Sequence, residues 1–285
     1  GLNRGKKIAL IYGMGPIHTG EGFYQSMGSS TAARWIRKAR KDKSIAAVVF
    51  RVDSPGGSTV ASDVIWREVA LAKKEKPFVV SMSDLAGSGG YLISVPAHKI
   101  VAQPQTLTAS IGVISGKFNF VKLYEKLGIT AEELTYGKRA DLFSTFKKFT
   151  PGERDLLKKE MLWVYDKFLT KVAEGRNLSK EEVDKIGKGR VWTGSQAKER
   201  GLVDEIGGLS RALELAKELA GIPIDEEVRL VVRPEKISFF EAFFRRRAIE
   251  MNLGLDPNVE KMLSALMLLN KEKILAIMPF WFAPE

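Results

Sequence analysis

Residues 78–94 read FVVSMSDLAGSGGYLIS. The apolar, β-branched run FVVSMSD (78–84) reads as a strand that enters a turn of Gly87, Ser88, Gly89 and Gly90. A helix-like apolar run then begins near Ser88. A strand that ends in a glycine turn and resumes as a helix is the repeating unit of a parallel sheet. The same arrangement stands upstream. AAVVFRVDS (46–54) is a strand of the buried kind, closed by DSPGG (Asp53–Gly57) and followed by a helix from about Ser58 to Lys76. On that helix Ala61, Val64, Ile65, Val69 and Ala72 share one face at helical spacing. KIALIYGM, from Lys7, is an earlier strand, and a helix capped by Ser30 or Thr31 runs from there through Arg40. KIVAQP (99–104) is a fourth, short strand. The fold class is therefore α/β with a largely parallel sheet.

After Lys147 the pattern turns helical. PGERDLLKKEMLWVYDKFLTKVAEGR (151–176) carries Leu157, Met161, Val164, Phe168 and Val172 on one stripe, and Pro151 suits a first helical turn. LSRALELAKELAG (209–221) is a further helix ending at Gly221. In the last sixty residues SFFEAFFRRRAIE, NVEKMLSALMLLN and ILAIMPFWF are expected to be amphipathic helices or packing segments. The organisation predicted is one domain over 1–222 and a C-terminal helical extension over 223–285. In that extension Phe239, Phe240, Phe243 and Phe244 stand beside Arg245, Arg246 and Arg247, a pattern that fits packing against the core or docking on anionic lipid.

The chain has 285 residues, 45% apolar and 28% charged, enough to bury a substantial core. Lys and Arg outnumber Asp and Glu by 45 to 34, a net charge of +11 that favours anionic partners. The basic residues are dispersed and no aromatic RNA-binding pattern is visible, so no nucleic-acid partner is expected. With no cysteine there is no zinc-ligand pattern and no disulfide. No metal or other cofactor is expected. No run approaches the roughly 18 apolar residues of a spanning helix. The chain opens with Gly1, which is read as the start of a piece trimmed from a longer protein, with any signal peptide or anchor removed.

The chemistry centres on Ser88. A serine at a helix N-terminus gains from the positive end of the helix dipole, and the N–H of Gly89 is an oxyanion donor. The same position also suits an ordinary N-cap serine. DSPGG, at the end of the neighbouring strand, is either a second set of donors or a Pro-Gly turn. Together the two turns would converge on one site, with Ser88 close to the 56–57 backbone and facing an open cleft. The chain holds two histidines, His18 and His98. Only His98 follows Ser88, with little room for an acid between them, which argues against a Ser-His-Asp order. His98 is read as structural, leaving a lysine as base, one whose pKa burial has lowered towards about 7–8.

RVDSPGGS (51–58), LAGSGGYLIS (85–94), TLTASIGVISGKFNF (106–120) and GRVWTGSQAKERGLVDEIGG (189–208) together resemble the signal peptide peptidase A family, also called protease IV. The resemblance runs in order from about Lys7 to Gly221. It implies a fold like the Clp protease and crotonase superfamily, with repeated strand-strand-helix units. It implies a serine peptidase with a serine-lysine dyad, assembled as a membrane-associated homo-oligomeric ring with an extracytoplasmic active domain, that degrades cleaved signal peptides and other hydrophobic peptides. By position, Ser88 matches the nucleophile, Gly57 and Gly89 the oxyanion donors, and Ser110 a serine that helps hold the lysine amine. The VWTGSQAKERGLVDE stretch is read as structural.

One position departs from the pattern. Short members carry the lysine in G-x-x-K; here that stretch is Gly137-Lys138-Arg139-Ala140. Long members are two fused halves, the first supplying the lysine and the second the serine, and this chain resembles such a second half. The amine is then expected from the upstream half, from a neighbouring subunit, from Lys138 (which would share a strand face with position 140), or from a lysine replaced at Ala140. A non-catalytic scaffold half and a crotonase-like acyl-CoA enzyme are the competing expectations.

Overall fold

The computed structural model describes residues 5–22, 25–234, 272 and 274–278. Its centre is a sheet of eight strands among the described residues, whose main path runs β10-β8-β6-β4-β1-β12. In chain order these are β1 (Lys7–Met14), β4 (Ile45–Ser54), β6 (Phe78–Gly87), β8 (Leu107–Ala109), β10 (Val191–Thr193) and β12 (Arg229–Arg233). Two further strands, β7 (Lys99–Ala102) and β11 (Glu205–Ile206), pair beside β6. All pairings are parallel except β8 with β10.

The first halves of the central strands are apolar because helices cover both faces. Successive side chains alternate between the faces. Ala9, Ile11, Val48, Phe50, Val52, Phe78 and Val80 lie in one core cluster. It is closed by α1 (Ser29–Lys41), α2 (Thr59–Lys73), α3 (Gly89–Ser94) and α5 (Pro151–Arg176). Ile8, Leu10, Ala47, Val49 and Val79 point the other way, against Ala212, Leu215 and Ala216 of α8 (Leu209–Leu219). Gly221, at φ +61, ends α8 as its sequence predicts.

A smaller second sheet crosses the ends of the central strands, in the order β3-β2-β5-β13-β9. Its members are β2 (Ile17–His18), β3 (Met27–Gly28), β5 (Gly56–Ser58), β9 (Ile114–Ser115) and β13 (Ile274–Ile277). The strand-strand-helix unit thus recurs: β1 is followed by β2, β3 and α1, β4 by β5 and α2, and β8 by β9 and a short helix. The remaining helices are α4 (Val121–Lys126), α6 (Lys180–Ile186) and α7 (Gly194–Glu199).

Several expectations are corrected. Val64 is not on the buried face of α2; it is 43% exposed, while Ala61, Ile65, Val69 and Ala72 are buried. The first helix is capped by the backbone of Gly28, not by Ser30 or Thr31. The Thr31 hydroxyl instead bonds Glu21 and accepts from the Gly22 amide, stapling the preceding loop. Among the described residues of the C-terminal extension, β12 joins the edge of the main sheet and β13 the second sheet, so the stretch from Ile274 packs as a strand. The segments 238–250 and 258–270, with the Phe and Arg cluster, lie outside the described residues.

The GLVDE stretch fastens the helices together, in keeping with a structural reading. Asp204 accepts from both guanidinium nitrogens of Arg176 on α5, at 2.9 and 3.0 Å, and from the Ile100 amide at 2.7 Å. Arg176 also donates to the Gly201 carbonyl, and the buried Tyr91 hydroxyl of α3 donates to the Leu202 carbonyl at 2.9 Å. Replacing Asp204 by alanine leaves a guanidinium that is only 8% exposed without its carboxylate. The expected loss is about 3–5 kcal/mol of unfolding free energy, measured by denaturant titration.

Candidate active site

β6 ends at Gly87 and α3 begins at Gly89, so Ser88 alone makes the corner. Its backbone sits at φ 51° and ψ −111°, a strained conformation for any residue but glycine. The amide of Ser88 donates to the Ala109 carbonyl at 2.7 Å, and its carbonyl accepts from Leu92 at 2.8 Å. These two bonds hold the corner from both sides. The side chain makes no capping bond to α3, which removes the N-cap reading; its hydroxyl donates to the Gly112 carbonyl at 3.3 Å. Strain of this kind is maintained where a side chain has to be presented away from the local helix.

The DSPGG turn meets this corner. Gly56 lies at φ +94°, and a Cβ placed on it would fall 2.6 Å from the Gly89 amide nitrogen. Only a residue without a side chain allows the two turns to approach so closely. Gly57 is equally constrained by space, since its Cβ would fall 2.0 Å from the Ile17 carbonyl oxygen. Ser54, missed in the sequence, sets the turn: its buried hydroxyl donates to the Gly15 carbonyl at 2.7 Å and accepts from the Gly56 amide at 3.1 Å. The only sequence signal for it was its place at the end of a buried strand. At the same strand end, burial and then the nearby Asp84 push the Asp53 carboxyl pKa up.

The two turns therefore converge as expected, but they do not face an open cleft. Ser88 has no exposed surface. Strand β13, unrecognised in the sequence as a strand, lies alongside β5 and β9 over the corner. Its five-residue apolar run (274–278) is too short for periodicity to separate strand from helix.

Ser110 is one residue beyond β8, whose Ala109 pairs with Gly87. It is 2% exposed, at φ 48°, and its amide donates to the Arg190 carbonyl at 2.9 Å. Together with Gly112, Ser110 lines a cavity of about 610 Å³ that extends to Lys158, Tyr165, Lys188 and Ile277. Among the described residues, no lysine is hydrogen-bonded to Ser88 or Ser110. Burial lowers the pKa of Lys76, Lys117 and Lys171, but all three are engaged elsewhere: Lys76 with the Ala39 and Ile45 carbonyls, Lys117 with the Leu142 carbonyl, and Lys171 with Asp63. Lys138 and Ala140 are exposed in a turn rather than on a strand, so the shared strand face expected for Lys138 does not exist.

Neither histidine adjoins the serine. His18 bonds Ser26 and the Thr19 carbonyl. The ring of His98 accepts from the Phe78 amide at 3.1 Å, where β6 begins.

The strained Ser88 corner and the 56–57 turn thus lie against each other at neighbouring strand ends. The chain belongs to Peptidase family S49, whose sequence profile matches residues 70–223. It is 41% identical to Serine protease SPPA, chloroplastic, of Arabidopsis thaliana, over 81% of this chain and 35% of that protein. It is 43% identical to Protease 4 of Salmonella typhi, over 76% of this chain and 35% of that protein. The chain thus spans about a third of the length of these two relatives. A relative from Methanocaldococcus jannaschii is 33% identical and is matched over 82% of its own length. Among solved structures, a ClpP1 mutant from Listeria monocytogenes superposes with a TM-score of 0.47 at 16% identity, covering 72% of this chain and 94% of that one.

Gly56→Ala is expected to cost about 1–3 kcal/mol from backbone strain alone, with a further loss as the two turns are forced apart; denaturant melts measure it. His98 gives a pH signature. Burial, then the nearby Lys73, holds its imidazole pKa below the usual 6.5. The unfolded chain therefore binds more protons between that lowered value and 6.5, and stability falls as pH drops below about 6.5. Thermal melts at pH 7 and pH 5 are expected to show this fall, and His98→Gln, which stays neutral, is expected to reduce it.

Proposed function

We propose that this chain is the serine-bearing part of a peptidase of the serine-lysine kind. Ser88 Oγ attacks a peptide carbonyl, and the amides of Gly57 and Gly89 hold the oxygen as it becomes negative. The Gly56 amide is taken by Ser54, so the Gly57 amide is the donor of this turn assigned to the oxyanion. The single observation carrying the reading is the strained Ser88 corner pressed against the 56–57 turn.

The proton of Ser88 goes to a lysine amine supplied from outside the described residues, by another segment of a longer protein or a neighbouring subunit. That amine passes the proton to the leaving nitrogen as the C–N bond breaks, and water then releases the acyl group from Ser88. The cavity beside Ser110 and Gly112 is where the amine enters, and Ser110 helps to hold it. A lysine there works only when burial lowers its pKa towards about 7–8.

Substrates are hydrophobic peptides, cleaved signal peptides among them, in a membrane-associated ring whose active domain is extracytoplasmic. The relatives named as proteases support the activity. The apolar side chains standing out between α4 and α5, including Leu127, Leu134 and Tyr136, support self-association. No described helix is long and apolar enough to cross a membrane, so association is assigned to a part outside them.

In the full-length protein, Ser88→Ala is expected to lower peptide cleavage at least about 10³-fold while leaving the melting curve within a few degrees of the wild type. Undiminished turnover overturns the reading.

A further inference from the structure

Strand β6 changes neighbours partway along. Its first half pairs with β7: Val79 with Lys99, Val80 with Ile100 and Ser81 with Val101. Its last residues pair with β8 instead: Leu85 with Leu107, Ala86 with Thr108 and Gly87 with Ala109. On its other edge β6 follows β4, but not in one register. Val52 lies opposite Met82, and then Ser54 lies opposite Ala86. Between these two points β6 holds two residues more than β4. The extra length is a bulge around residues 83–85.

The bulge decides which residue reaches the corner. Had the earlier register continued, Ala86 would stand level with Gly56. With the extra length Ser88 stands level with it, which agrees with the close approach of Gly56 to the Gly89 amide. A stretch that leaves the ladder needs restraints of its own, and Arg51 provides them. It stands opposite Ser81 on β4. Its Nη1 donates to the Ser81 hydroxyl and to the Met82 carbonyl, each at 2.8 Å, and its Nη2 donates to the Ser83 hydroxyl at 2.9 Å. From the β8 side the Thr106 hydroxyl donates to the Ser83 carbonyl at 2.6 Å. One planar guanidinium thus spans the three successive residues at which β6 departs from its first register. A lysine ammonium is a single point and cannot reproduce that fork.

We propose that Arg51 is a positioning residue for the peptidase reaction: by clamping Ser81, Met82 and Ser83 it fixes the offset of β6 that delivers Ser88 to the 56–57 turn. This rests on the reading of Ser88 as nucleophile with Gly57 and Gly89 as oxyanion donors. Arg51 touches no reacting atom. It acts along six residues of backbone, and the parallel pairing of Ala86 and Gly87 with β8 carries the setting to the corner. A displacement of about 1 Å at a reacting atom costs on the order of 10²-fold in rate, so a small slip of the bulge is enough to be felt.

The test uses the full-length protein with Arg51→Lys, which keeps the charge and loses the fork, and Arg51→Ala. Turnover of a hydrophobic peptide is counted per Ser88 that a fluorophosphonate probe labels at completion, so a loss of folded protein does not register. Both variants are expected to show kcat per labelled site lowered about 10–100-fold, with KM within about threefold of the wild type. A residue that only stabilises the fold would reduce the number of labelled sites and leave kcat per site unchanged. That result, or lysine giving full turnover, overturns the proposal. Should both variants fail to melt cooperatively, Ser83→Ala decides, since it removes only the Nη2 acceptor. A fall in kcat per site of about 3–10-fold supports the clamp, and an unchanged value overturns it. Ser88→Ala separates the two readings. If it turns over peptide like the wild type, the peptidase reading falls; if it is inactive while the Arg51 variants match the wild type, only the clamp falls.

Discussion

The contact between two backbones that carry no side chains, Gly56 and Gly89, is the constraint around which this molecule is arranged. A strand end and a helix start are brought so near that a single methyl group would part them. Polar bonds hold each turn: Ser54 ties one to Gly15, and Ala109 and Leu92 tie the other. The strain at Ser88 persists because these bonds and the parallel register of β4, β6 and β8 over-determine its position. The buried central strands supply the rigidity. Each of their faces meets a different set of helices.

That arrangement explains why most of the site could be read from the sequence. Glycines at 56, 57, 87, 89 and 90 report the need for close approach, and uninterrupted apolar runs before them report strands covered on both faces. The order of strand, turn and helix then places the two turns at neighbouring strand ends, and the contact between Gly56 and Gly89 agrees with that placement.

The parts that were not legible depend on contacts that the local sequence pattern does not report. Val64 occupies an apolar helical position, yet it is 43% exposed. Thr31 has the chemistry of a helix cap but spends its hydroxyl on Glu21 and Gly22. ILAIM offers too few residues to show a period, and its strand state is imposed by edges more than 150 positions earlier. The alanine at position 140 departs from the G-x-x-K pattern and carries no information about where an amine would enter.

The bond from Tyr91 to Leu202 spans 111 positions. Through it, and through Arg176 with Asp204, the short helix that carries the serine corner is braced by chain synthesised much later. A polypeptide still emerging from the ribosome has its glycine turns and its hydroxyl long before it has that brace. The serine corner therefore reaches its final packing only after the stretch through Asp204 has been made and docked.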